Sequence, residues 1–306
     1  MSGNLVQQPS STPVQTLRSR ALRAIIEEAN KDELVFPANV AASLKIQQAI
    51  DAPDCGIDLA TRLVLNEPLL AARVVAIANS AAYSRGIDIT NVKAAINRLG
   101  FSTLRAVVAS LVVRQLAGSS KDKNIQHMTG KLWEHSAQVA ALSQVIARRI
   151  TKVDPDTALF AGIVHEVGNF YLLSRAEGYP ALLEPESMAV ESDQLPGFQD
   201  TVVDFESSEA RIGRAVVKNL QLPEAVRQAL EALWYGLRAM PPETLGDTLL
   251  LANELARTTS PLDFNSYAES GRYMSEIDFV VGDGTLNSIL LESEEELHSL
   301  TSALLV

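Results

Sequence analysis

The chain is poor in several residue types that mark particular kinds of protein. Among its 306 residues there is one cysteine, Cys55, which excludes an internal disulfide and suits a reducing compartment. It has four histidines, His127, His135, His165 and His298. A binuclear centre built on histidine and carboxylate would need several of them to converge. Lysine and arginine number 26 against 37 aspartates and glutamates, a net charge of −11. Such a chain repels phosphate backbones and anionic lipid, so neither nucleic acid nor membrane is expected as a direct partner. No apolar run reaches the roughly 18 residues that a membrane span needs. The opening "MSGNLVQQPSSTPVQ" has neither a basic start nor an apolar block, and is read as a disordered tail over 1–15 rather than a secretory signal. The expected compartment is the cytoplasm. Nucleophile and nucleotide motifs are missing too: there is no G-x-S-x-G, no H-E-x-x-H and no Walker loop.

What is present points to helix. Apolar residues make up 47% and aromatics 5%, with Ala, Leu and Val dominant, a mixture that favours closely packed helices over sheets. A chain of this length can bury about three quarters of its unfolded surface, so a substantial core is available. Leu17, Ala21, Ile25 and Glu28 track one side of a first helix. Pro37 suits the first turn of "FPANVAASLKIQQAID", where its missing N–H costs nothing. Asp58 is a candidate cap for "LATRLVLN", and Glu67-Pro68 ends that helix and begins the next. Thr90 is a candidate cap for "NVKAAINRL", Gly100 its left-handed stop, and Ser102 a cap for the segment that Gly118 closes. Asp154-Pro155 is a strong start for "DTALFAGIVHE". Residues 184–204 read as an irregular loop, "IDFVV" at 277–281 as a short run with no pairing partner. The fold expected is all-α. A polar linker at 119–124 divides it into an N-terminal helical subdomain over 16–120 and a second helical subdomain over 121–240. A C-terminal helical extension over 241–306 packs on them.

Candidate chemistry centres on "LWEHSAQVA" and "AGIVHEVGNF". His165 and Glu166 are neighbours at a helix end, about 100° apart around the axis at 3.6 residues per turn. They can flank a pocket that His135, from another helix, would complete as a third metal ligand. The competing reading makes each histidine a hydrogen-bonded packing residue in a helix interface. The glycines of "GDGTLNS" at 282–288 could hold an anion at a helix start, although such turns are usually only turns. Trp133 and Trp234 read as packing anchors and "ESEEELH" as a solvated face. Asn79 and Ser80, polar within the apolar "IANSAAYSRG", must find partners if buried; Asn79 is expected to clamp the following loop or the "AINRLG" helix.

The segments "EPLLAARVVAIANSAAYS", "AINRLG", "LWEHSAQVAALSQVIARRI" and "DTALFAGIVHEVGNFYLL" occur in the order of the HDOD family, output domains of bacterial signalling proteins related to HD phosphohydrolases. The resemblance extends over roughly residues 34 to 235 and marks Asn79, Ser80 and Gly100 as structural signature positions. It implies a helical domain that often lacks phosphohydrolase activity. His135 falls at the first histidine of the HD pattern, and His165 with Glu166 at its His-Asp pair. Glu209, Leu233 and Trp234 stand where many relatives carry further histidines. On this resemblance "HEVG" is a vestigial site. His135, His165 and Glu166 would hold a divalent metal weakly, with no cofactor, no catalytic residue and Leu233 and Trp234 filling the pocket. The function it implies is a regulatory module that acts on a protein partner, with homodimerisation left open. The alternative is a residual metal-dependent phosphohydrolase acting on nucleotides or phosphodiesters.

Overall fold

The structure, a computed structural model, describes residues 17–184, 207–236, 239, 241–263 and 284–306. Within them the regular elements are helical and no strand occurs. In chain order they are α1 (Leu17–Asn30), α2 (Ala38–Asp51), α3 (Ile57–Leu65), α4 (Pro68–Asn79), α5 (Val92–Leu116), α6 (Lys123–Ile146), α7 (Pro155–Val164) and α8 (Val167–Arg175). There follow α9 (Ser208–Leu220), α10 (Glu224–Tyr235), α11 (Leu245–Leu255), α12 (Thr285–Glu292) and α13 (Glu294–Leu305). A π-helical turn, Ala147–Thr151, extends α6. The tail over 1–15, almost all of the loop over 184–204 and "IDFVV" lie outside the described residues.

Local chemistry explains several helix starts. Asp154 accepts a hydrogen bond from Thr157 N at 2.7 Å and Pro155 follows it, so an N-cap and a proline at the first helical position act together. Asp122 caps α6 through Asn124 N at 2.7 Å and Ile125 N at 3.2 Å. Thr244 and Asp247 form a reciprocal capping box on α11.

Several sequence expectations shift by a residue or a role. The cap of α5 is Asn91, whose Oδ1 accepts from Ala94 N at 2.8 Å, rather than Thr90. Gly56 precedes α3, and Asp58 instead pairs with Lys93 at 2.6 Å. Ser102 lies inside α5 rather than capping it. Gly100 does have positive φ, but its angles of 77° and 173° are those of a mirror-image extended residue. The helix is therefore kinked there and resumes at once, a geometry that suits glycine alone. In α1 the buried face runs through Arg18, Ala21, Leu22, Ile25 and Ile26, whereas Leu17 is 70% exposed.

One continuous apolar core runs from Ala21 to Leu304. Helix α5 lies at its centre, packed on α2, α3 and α4 and also on α7 and α8. By length and composition α5 could cross a membrane, the one described helix that could, but two thirds of the relevant window is buried against these neighbours. Polar ties cross the core. Arg175 forms a two-pronged pair with Glu28 (2.5 and 3.0 Å) and donates to Tyr171 Oη at 2.9 Å. Asn79 at the end of α4 donates to Ile89 O and accepts from Ile89 N, both at 2.8 Å. It is half-buried. Its side chain thereby takes both backbone groups of one residue in the loop before α5, and Ser80 Oγ closes α4 by donating to Ile77 O at 2.7 Å.

Candidate metal centre

His165 and Glu166 occupy the junction between two helices. His165 is the C-cap of α7 and Glu166 the N-cap of α8. The change of helix direction between them turns both side chains toward α6. There His135 projects from mid-helix, with its Nε2 3.1 Å from His165 Nε2 and 3.5 Å from Glu166 Oε1. Glu166 Oε1 is 3.8 Å from His165 Nε2. All three residues are buried, with relative exposures of 3%, 4% and 9% for His135, His165 and Glu166.

The approach depends on Gly162. A β-carbon there would lie 2.4 Å from Ala140 Cα and 2.8 Å from Ala140 N, so only glycine lets α7 lie this closely on α6. Gly162 also contributes its carbonyl: His165 Nδ1 donates to Gly162 O at 2.7 Å. His135 Nδ1 donates to Thr258 O, in the segment after α11, at 2.6 Å. Thr258 is held in turn by Gln138, which donates to its Oγ1 at 2.9 Å and accepts from its N–H at 3.0 Å. Asn169 Nδ2 donates to Glu166 Oε2 at 2.6 Å.

These partners fix the protonation pattern. A carbonyl can only accept, so each Nδ1 carries a hydrogen, and in the neutral ring each Nε2 presents a lone pair. Two lone pairs and a carboxylate oxygen then converge on one point. Burial pushes the His165 imidazole down to about 4, Glu166 opposing that shift, so a proton is a poor occupant of the gap. A metal ion fits it. Three N and O ligands at about 2.0–2.2 Å around a tetrahedral ion stand roughly 3.4 Å apart, against 3.1, 3.5 and 3.8 Å here. The backbone carbonyls behind both rings are the outer partners that metal-binding histidines normally have. His135, His165 and Glu166 would hold one divalent ion, which when bound supplies Lewis acidity and a more acidic coordinated water.

Among the described residues no other histidine, cysteine, aspartate or glutamate joins this group. His127 and His298 are exposed on the surface. Glu209, at the start of α9, is paired with Arg18 at 3.2 Å. Trp234 does not plug the site as expected from its sequence position. Its indole lies on Gly213, where a β-carbon would meet it at 2.6 Å, and Gly213 in turn backs onto Gly168. The tryptophan therefore supports the start of α8 from behind, while Leu233 packs at the margin of the core. The sequence reading missed Gly162, Thr258 and Asn169. A glycine three residues before His165 in an apolar helix was a readable signal. Thr258 offered none, since it is remote in sequence and acts through its backbone.

A helical domain with two histidines and a carboxylate converging between α6 and the α7–α8 junction is an HD-like architecture. The sequence model of the HDOD domain matches residues 36–234, and the chain belongs to the HDOD family. Its fold is shared with the structure of a "Putative metal-dependent phosphohydrolase from Shewanella amazonensis SB2B", at TM-score 0.69 and 20% identity over 94% of this chain and 99% of the other. It is shared as well with a "Putative signal transduction protein from Marinobacter aquaeolei VT8", at TM-score 0.55 and 17% identity over 93% of this chain and 65% of the other. An uncharacterised protein of Treponema pallidum (strain Nichols) is 25% identical over 224 residues, 71% of this chain; the match spans only 40% of that relative's length.

Proposed function

We propose that the chain is a regulatory signalling domain that acts on a protein partner, and that its HD-like site holds one ion as a structural staple rather than turning over a substrate. The observation that carries this is the ligand count. Among the described residues three ligands converge, enough for one ion, whereas a two-metal phosphoesterase needs ligands for a second ion 3.5–4 Å or so away. The burial of all three ligands supports the same reading, because a substrate phosphate must reach an open coordination position. Neighbours by fold include a "Putative signal transduction protein", and the chain's net charge of −11 argues for protein over nucleic acid as the partner.

The test is metal analysis of the purified chain beside a hydrolysis screen of nucleotides, cyclic dinucleotides and simple phosphodiesters with added Mn²⁺, Mg²⁺ or Zn²⁺. The expected result is at most one ion per chain and no turnover. Metal-dependent turnover that is lost in both His135→Ala and His165→Ala would overturn it. That outcome would establish the second reading, a residual metal-dependent phosphohydrolase. The observation favouring that alternative is the pair of Nε2 lone pairs aimed at one point beside a carboxylate.

A further inference from the structure

Arg73 of α4 is 1% exposed, the largest fully buried side chain in the described structure. A guanidinium is always charged and carries five donors. Only one bond is visible here, from Nη1 to Ser110 Oγ at 3.0 Å. Ser110 Oγ donates onward to Val107 O at 2.6 Å, so it brings no charge. Arg73 Nε is buried without a hydrogen-bond partner, and among the described residues no carboxylate pairs with Arg73. The guanidinium lies over the Trp133 ring at 5.4 Å, and that indole's own Nε1 is likewise buried and unpartnered. A second cation, Arg114 of α5, lies over the same ring at 5.9 Å. Its one hydrogen bond is to Val306 O, at the end of α13, at 3.4 Å.

Two guanidiniums thus lie over one indole, with two buried donors unmet. Buried charges are normally paired, because leaving one unpaired in a low-dielectric interior costs several times more than leaving a neutral group unpaired. The indole face and the carbonyl end of α13 offset part of that cost, but neither accepts a bond from Arg73 Nε or Trp133 Nε1. What is missing is an acceptor with negative charge. Arg114 is exposed, so the cluster reaches the surface at that side chain. Two positive charges are balanced by one dianion, and a phosphate monoester carries about −1.5 to −2 at neutral pH.

We propose that Arg73, Trp133 and Arg114 form a binding site for a phosphate dianion, on the opposite side of α6's Trp133–His135 stretch from the metal-binding role and independent of it. Arg73 and the Trp133 N–H are the fixed inner donors, and Arg114 is the outer cation. The site lies where α4, α5 and α6 meet the C-terminal helix, so occupancy bears directly on how α13 is held. That gives a signalling domain a small-molecule input.

The experiment titrates the full chain with inorganic phosphate, with adenosine monophosphate and with adenosine, in low-salt buffer with chelator present, read by calorimetry and thermal shift. Saturable binding of one phosphate per chain is expected. If the native ligand is a nucleotide, the monophosphate binds more tightly than inorganic phosphate; equal affinity points to free phosphate, and adenosine binds in neither case. Arg114→Gln should weaken binding at least about tenfold, the loss of one charge-assisted hydrogen bond, without changing the ligand-free melting temperature. Trp133→Phe, which keeps an aromatic face and removes the N–H, should weaken it similarly. Arg73→Met should abolish binding without lowering the ligand-free melting temperature, because it removes an unpaired buried charge at similar volume. His135→Ala should leave phosphate affinity unchanged, which separates this site from the metal centre. Failure of the wild type to bind either phosphate overturns the proposal, as does binding that survives both Arg114→Gln and Trp133→Phe. Should Arg73→Met not fold, the Arg114 and Trp133 variants still decide the matter.

Discussion

Gly162→Ala tests the geometry of the metal centre without touching a ligand. The added methyl carbon would lie 2.4 Å from Ala140 Cα. Carbon atoms in contact settle at about 3.5–4.0 Å, so α7 must retreat from α6 by about 1 Å or more. Neither partner can yield by rotating a side chain, because the contact is with backbone. The overpacking costs roughly 1–3 kcal/mol, offset by up to about 1 kcal/mol from the better helix propensity of alanine. The net cost is then at most about 3 kcal/mol; at about 2–4 °C per kcal/mol for a chain of this size, the melting temperature is expected to fall by up to roughly 12 °C. The same retreat would widen the His135–His165 gap of 3.1 Å and displace Gly162 O, the partner of His165 Nδ1. Zinc or manganese affinity should therefore drop by more than a factor of about 10, in line with the loss of an outer-shell partner. Thermal denaturation and a competitive metal titration measure the two effects. An unchanged melting temperature together with unchanged metal affinity would refute the argument that close packing at this glycine builds the site.

Asn79→Ala should cost about 1–3 kcal/mol in urea denaturation, because it leaves both backbone groups of Ile89 unpaired at a half-buried position; a change below about 0.5 kcal/mol would show the loop is held otherwise. Gln138→Ala, which frees Thr258 from α6, should weaken metal binding while leaving the three ligands in place, a split seen by comparing metal affinity with circular dichroism. In metal-free protein, stability should fall as pH drops from about 6.5 toward 4. The folded His165 is held down to about 4, so over that window the unfolded chain binds a proton that the folded chain does not, and protonation favours unfolding. A His165→Gln variant should flatten that part of the stability-against-pH curve; an equally steep curve in the variant would assign the acid sensitivity to other groups.

The helical class was legible because apolar spacing and caps are local. Asp154-Pro155 and the end at Gly118 could be read directly, since an N-cap, a proline and a positive φ act within one turn of chain. The misplaced caps at Thr90 and Asp58 have the same origin: Asn91 and Gly56 compete one or two residues away, and the choice depends on how the preceding loop enters. Leu17 was misassigned because α1 carries Arg18 inward, where it meets Glu209, and a buried charge is invisible to a hydrophobic pattern. The three metal-site residues were legible as residue types. Their convergence was proposed but left open against a packing reading, because 3.6-residue periodicity orients a side chain about its own helix but not toward another. Trp234 shows the limit most clearly. The family resemblance suggested a plug and the residue itself a packing anchor; the absence of a side chain at Gly213 admits the indole as such an anchor.

By itself, then, the sequence determined an all-α chain and singled out His135 within one helix and His165 and Glu166 at a helix end as candidate ligands, because helix formation, capping and burial are decided by residues within a few positions of one another. Only the tertiary structure decided that α6 and α7 come into backbone contact at Gly162, that Thr258 reaches back to orient His135, and that Arg73 is enclosed beside Trp133 with no carboxylate partner among the described residues. Each of these depends on atoms far apart in the chain, whose distances are set by packing one helix on another, and packing is a property of the whole core rather than of any stretch of sequence.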